Sequence, residues 1–200
     1  MAISLSQYDK MVSMDINHVE LIASLIKSQK SRSILELGYG SGLCTRAIVS
    51  AIEYNSIPVN YAVVDNWFDT EGTQLVNPEN LSRYIKFYKL SEQDFVLNCV
   101  TKYDFVLSDA DHYNSNKWFD RVYNELLSVD GIFVCHDVTN KDFKNLFDIY
   151  KVCVKYKIPH MLFNKSTLAS ERCERGLLVI YKTTGVAPVS LPEGVMKETV

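Results

Sequence analysis

Short β-branched apolar runs alternate along this chain with longer stretches whose apolar residues recur at helical spacing. Ser33–Leu37 is the first such run, and it stops at a glycine cluster. Residues 43–52 then place Leu43, Ala47, Ile48 and Ala51 on one side of a helix. Residues 59–64 predict a second strand ending at Asp65, 86–90 a weakly written third, and 103–107 a fourth ending at Ser108 and Asp109. Trp118, Val122, Leu126 and Leu127 predict a helix before a fifth strand over 131–135. Phe143, Leu146, Phe147, Tyr150 and Val154 predict another helix, for which core packing is the expectation, as it is for Trp118. His160–Phe163 and residues 176–181 complete the strands, and 16–28 predict a first helix with Val19, Ile22, Leu25 and Ile26 on one side.

Strands alternating with helices of about 10–15 residues imply right-handed crossovers and a parallel sheet covered on both faces. The expected fold is therefore α/β: a doubly wound, mostly parallel seven-stranded sheet with helices on both faces and the last strand antiparallel. Residues 1–182 read as one domain, and 183–200, which lack periodicity, as a mobile tail.

Composition narrows the classes. Of 200 residues, 47% are hydrophobic and 22% charged, the balance of a water-soluble globular chain. No apolar run approaches the ~20 residues of a membrane span, and the first ten residues lack the features of a signal peptide. A net charge of −3 supplies no basic field for nucleic acid. Five cysteines with no CxxC pair favour reduced thiols and a cytoplasmic location over a zinc ribbon.

The chemistry concentrates at strand ends. In Leu35-Glu-Leu-Gly-Tyr-Gly-Ser-Gly-Leu-Cys-Thr45 a strand runs into a glycine-rich turn that opens a helix. Glycines at 38, 40 and 42 admit positive φ and close approach of a ligand, and the helix start behind them offers N–H groups. A bare strand–helix turn using glycine only for geometry is the alternative. The dinucleotide fingerprint GxGxxG would need glycine at position 43, which is Leu43. Asp65 closes the second strand, where an acid can grip a ribose, or simply cap the next turn. Asp109-Ala-Asp-His-Tyr113 and Gly131-Ile-Phe-Val-Cys-His-Asp137 should bring ionisable groups to the same sheet edge.

The Glu-x-Gly-x-Gly-x-Gly pattern resembles motif I of the class I S-adenosylmethionine-dependent methyltransferases. With the Asp-Ala-Asp-His-Tyr and Gly-Ile-Phe-Val-Cys-His-Asp segments, it is similar to their small-molecule and sugar O-methyltransferase branch over residues 30–182. The resemblance implies S-adenosylmethionine held by Glu36, Gly38, Tyr39, Gly40, Gly42, Thr45, Asp65, Asn66, Trp67, Ser91 and Asp109. Glu92 falls with Ser91 where the family contacts adenine, and Cys44 stands where it often has a hydroxyl. Asp109, His112, His136 and Asp137 would face the acceptor, a small molecule or sugar.

Many of these enzymes hold Mg²⁺ between an acid at the fourth strand's end and an Asp-Asn pair after the fifth. By position these are Asp109 and Asp137, with Val138 in the Asn place and His136 where the sugar branch has an acid. One imidazole beside two carboxylates suits Mn²⁺ or Fe²⁺ better than Mg²⁺, or no metal, with His112 or His136 as base. No nucleic acid or membrane partner is expected, and a homodimer is left open. An NAD-dependent oxidoreductase, a non-catalytic cofactor-binding protein and an aminopropyl-type transferase are the rival functions.

Overall fold

The computed structural model describes residues 14–66, 76–164 and 175–184. Trp67, the first thirteen residues and the tail beyond residue 184 lie outside these, so the expectations for them carry no structural account.

In chain order the elements are α1 (Ile16–Gln29), β1 (Ser33–Leu37), α2 (Leu43–Asn55), β2 (Asn60–Val64) and a 3-10 turn (Pro78–Leu81). Then come β3 (Lys86–Tyr88), α3 (Glu92–Asn98), β4 (Tyr103–Ser108), α4 (Ser115–Arg121) and a π-helical turn (Val122–Leu126). The last are β5 (Leu127–His136), a 3-10 turn (Lys144–Leu146), α5 (Phe147–Tyr156), β6 (His160–Phe163) and β7 (Leu177–Tyr181). The sheet order is β3-β2-β1-β4-β5-β7-β6. Among the described strands only β7, wedged between β5 and β6, runs antiparallel to its neighbours. This is the doubly wound, mostly parallel seven-stranded sheet that the strand–helix alternation implies.

Each central strand buries both of its faces, which accounts for runs that are apolar throughout rather than alternating. On one face Leu35, Leu37, Val106, Phe133 and Cys135 pack with α3, α4 and α5. On the other Ile34, Tyr61, Val63, Phe105 and Leu107 pack with α1 and α2 through Ile22, Ile26, Ile48 and Ile52. Among the described residues no helix is long and apolar enough to cross a membrane.

Two predicted stripes are redrawn. Leu127 is not the end of a helix but the first residue of β5, paired with Tyr103, while Phe105 already pairs with Ile132. The residues between bulge outward, with Asp130 in the left-handed region at φ 62°. The Lys182 ammonium satisfies the helix end there, donating to the carbonyls of Tyr123, Asn124 and Leu127 at 2.6, 3.0 and 2.8 Å. The stripe from Phe143 breaks into a single 3-10 turn and then α5, which leaves Val154 half exposed.

The winding direction changes between β1 and β4, where an open α/β sheet forms a crevice beyond the carboxyl ends of its strands. Hydrogen bonds continue past the strand ends at that point. Gly38 N–H donates to Val64 O and Asp109 N–H to Leu37 O, both at 2.8 Å. Three strand ends are thereby held at one height, and the glycine loop begins level with Asp109.

Candidate active site

The loop after β1 owes two of its glycines to its own packing. Gly38 sits at φ 99°, and a Cβ there would lie 2.3 Å from the backbone oxygen of Asp109. At Gly42, φ 77°, a Cβ would lie 2.4 Å from the Tyr39 hydroxyl, because the Tyr39 ring folds beneath the loop. That hydroxyl donates to the Val76 carbonyl at 2.5 Å. Gly40 is different: no atom of the described residues lies within 4 Å of where its Cβ would be. Internal sterics thus account for Gly38 and Gly42, and the loop presents its open side at Gly40.

Asp65, at the end of β2, holds this loop. One carboxylate oxygen, Oδ2, accepts the N–H groups of Tyr39 at 2.7 Å and Gly40 at 3.2 Å. Glu36, on β1 beneath the loop, is 1% exposed. Its Oε2 accepts the hydroxyls of Tyr61 and of Thr45, the latter at 2.8 Å. Its Oε1 is buried with no hydrogen-bond partner among the described residues. Burial drives the Glu36 pKa up to about 8, against the opposing pull of the Tyr61 and Thr45 hydrogen bonds.

Across from the loop, the ends of β4 and β5 bring four ionisable side chains together. His112 Nε2 is 2.9 Å from Asp137 Oδ2 and 3.5 Å from Asp109 Oδ1. His136 Nδ1 is 3.0 Å from Asp109 Oδ1 and 3.6 Å from Asp137 Oδ2. Asp137 reaches this position through a left-handed backbone, φ 60°, a conformation Asp tolerates better than most residues. Burial alone would lower the His112 pKa, but the hydrogen bond to Asp137, the charge of Asp109 and the Ala110 carbonyl outweigh it and lift it to about 9. Burial likewise works against protonation of His136, and Asp109 again outweighs it, raising the pKa. Burial alone would raise the Asp137 pKa; His112, His136 and Arg175 outweigh it and hold the carboxyl below its usual range.

Between the loop and this cluster lies a cleft of about 440 Å³, within the size range of small-molecule sites. Glu36, Gly38, Gly40, Asp109, His112 and Asp137 all line it. So do Tyr39 and His136, bringing eight of the residues singled out in the sequence to one cavity. Others point elsewhere. Thr45 is wholly buried with its hydroxyl on Glu36, and Cys44 takes the lining position beside it. Ser91 caps α3, accepting the Asp94 N–H at 3.0 Å. Glu92 is buried and receives the Ser115 hydroxyl at 2.7 Å and the Asp111 N–H at 3.2 Å, so it ties down the loop that carries His112. Asp65 holds the glycine loop rather than lining the cleft, and Asn66 is not part of the lining either.

The cleft also contains residues that the sequence did not disclose. Met14, Asn140, Asp142 and Arg175 line it, and Arg175 Nε is 4.0 Å from Asp137 Oδ1. Phe143, expected in the core, lines it too, its ring 4.5 Å from that of His112 and 5.3 Å from that of Tyr113. Behind it, His18 of α1 is buried edge-on to His136, ring centres 5.5 Å apart. Burial, and then the neighbouring His136, lower the His18 pKa to about 4.

Residues 35–138, from the glycine loop to the end of the acidic cluster, match the family model described as a methyltransferase domain. The chain belongs to the methyltransferase-domain family. No curated protein matches its sequence. Among solved structures, a candidate caffeoyl-CoA O-methyltransferase from Staphylococcus aureus superposes with a TM-score of 0.67 at 18% identity, over 88% of each chain. The O-methyltransferase from Bacillus cereus, solved in complex with SAH, gives 0.63 at 16% identity over 85% of this chain and 83% of that one. The O-methyltransferase TomG from Streptomyces achromogenes, involved in tomaymycin synthesis and solved with SAM, gives 0.66 at 12% identity over 86% and 82%. At these identities the likeness is one of fold, the methyltransferase sheet with its helices.

Proposed function

We propose that this methyltransferase acts with S-adenosylmethionine on the hydroxyl of a small molecule. One observation carries the reading: a cleft at the β1/β4 switch point joins an open glycine loop to a cluster of acids and imidazoles. The SAH- and SAM-bound O-methyltransferases of the same fold support it.

The residues present fit the cofactor. Gly40 leaves the loop backbone accessible, and Glu36 Oε1, buried and unpartnered among the described residues, is matched by the ammonium of a methionyl group. Asp65, next to the loop it pins, is the carboxylate for the ribose hydroxyls. When bound, S-adenosylmethionine supplies a methyl on a sulfonium, displaced in line by the acceptor oxygen, with the bond pair staying on sulfur.

The chain must align the acceptor and receive its proton. Asp109 does the second: its side chain is 24% exposed, and its carboxylate takes the hydroxyl proton as the oxygen gains carbon. His136 and Asp137, at 1% and 4%, are positioning residues that fix Asp109 and His112. Phe143 and Tyr113 supply an aromatic wall on the acceptor's side.

The Mg²⁺ that the family resemblance implies does not fit this donor set. The matched Asn place is Val138, apolar and fully buried, and the Asp109 and Asp137 oxygens already receive imidazole nitrogens.

Titration calorimetry with SAH and with NAD tests the function. Heat with SAH, together with transfer of labelled methyl to a hydroxyl compound, is expected. Heat with NAD alone overturns the reading.

A further inference from the structure

The contacts of His112 set its charge. Its Nδ1 lies 2.5 Å from the carbonyl oxygen of Ala110, and its Nε2 2.9 Å from Asp137 Oδ2. A backbone carbonyl only accepts, and so does an ionised carboxylate, whereas a neutral imidazole carries one N–H. Both ring nitrogens face acceptors, so both hold hydrogen and the ring is an imidazolium. His136 and Arg175 stand 3.6 and 4.0 Å from Asp137, and against the effect of burial they favour its ionised form. The Phe143 ring, 4.5 Å away, closes the imidazolium in from the side.

We propose that His112 is the fixed cation of this active site, standing between Asp109 and Asp137 where the family resemblance places a divalent ion, and that methyl transfer here needs no metal. The proposal rests on the methyltransferase reading of the cleft. Asp109, His136 and Asp137 do offer three ligand atoms within 4.8 Å of one another. Yet Asp137 Oδ2 and Asp109 Oδ1 face His112 Nε2 at 2.9 and 3.5 Å, so an ion that takes these oxygens enters only when the imidazolium leaves. Its part in the reaction is electrostatic: it lies beside Asp109, where the acceptor oxygen becomes electron-rich as its proton departs. The acceptor O–H breaks, its proton goes to the Asp109 carboxylate, and His112 keeps both of its own protons throughout.

Three measurements on the full chain test this. Nitrogen-15 spectra near neutral pH should show two protonated ring nitrogens for His112, assigned by their loss in His112→Gln. That variant keeps an amide donor for Asp137 but carries no charge. Electron paramagnetic resonance with Mn²⁺ should find no wild-type site tighter than about 1 mM, whereas His112→Gln and His112→Ala should bind at least ~10-fold more tightly. Methyl transfer should persist undiminished in excess EDTA. A singly protonated His112, micromolar Mn²⁺ binding by the wild type, or activity abolished by EDTA would each overturn the proposal. SAH titration of the same samples separates the two readings: a chain that binds SAH and also holds Mn²⁺ tightly loses only the imidazolium proposal. Failure to bind SAH overturns the functional reading and leaves the charge and metal measurements standing.

Discussion

Glu36→Gln is the most telling perturbation of the cofactor side. A carboxyl whose pKa rises from 4.5 to about 8 on folding binds its proton more tightly in the native state. Its contribution to stability is then fully present below the unfolded pKa and is lost as pH rises toward the folded one. At about 1.4 kcal/mol per pKa unit, the wild type should lose roughly 3 kcal/mol between about pH 4 and pH 7 through this group alone. Glutamine cannot titrate. Its amide oxygen can still accept the Tyr61 and Thr45 hydroxyls, though its NH₂ is left short of partners, a cost of about 1–3 kcal/mol that does not vary with pH. Urea unfolding of both proteins across this range gives a difference curve in which all other titrating groups largely cancel. That curve should rise by about 3 kcal/mol in favour of the variant and flatten above about pH 8. Saturating SAH should abolish the rise, because an ammonium beside Oε1 restores the carboxylate; calorimetry in buffers of different ionisation enthalpy should then record proton release for the wild type only. Parallel stability curves, with no change in slope, would refute the buried-acid argument.

Other substitutions separate the remaining parts. Asp65→Ala removes a charged acceptor from two loop amides and should weaken SAH binding by about 1–3 kcal/mol in calorimetry; an unchanged Kd would place the ribose elsewhere. Gly38→Ala should drive a methyl into the Asp109 backbone and cost more than about 2 kcal/mol in thermal or urea unfolding. Gly40→Ala meets no atom of the described residues and should cost only about 1 kcal/mol of backbone strain while reducing SAH affinity, which distinguishes a packing glycine from a ligand-facing one. Lys182→Met should strip the donor from three carbonyls and lower stability by about 2 kcal/mol, discounted for partial exposure, with SAH affinity unaffected.

Much of the sheet was legible because a strand buried on both faces is written as an uninterrupted apolar run. The point where such a run turns polar marks the strand's carboxyl end. That is how Asp65, Asp109, His136 and Asp137 stood out in advance. The same cue failed for Phe143, Arg175 and His18, which lie outside strand ends. Phe143 has the spacing of a core stripe, and only the break between the 3-10 turn and α5 shows why its ring faces the cleft. Arg175 precedes β7 and meets Asp137 through an antiparallel pairing that has no local signature. His18 reads as one more position on an amphipathic helix, and its approach to His136 requires the docking of α1. Leu127 misled because a π-helical turn runs directly into β5, with no glycine or proline to mark the change.

The seam between Gly38 and Asp109 has a consequence for how acceptor preference could change. Backbone there meets backbone without room for a methyl group, so the glycine loop and the Asp109 side of the cleft are registered by main chain. Mutation cannot easily misalign them short of unfolding the protein. Side chains farther out, Asp142 and Tyr113 among them, carry no such duty and are free to be exchanged. A lineage built on this chassis can explore new acceptors by redecorating the outer wall while the axis of transfer stays where the sheet put it.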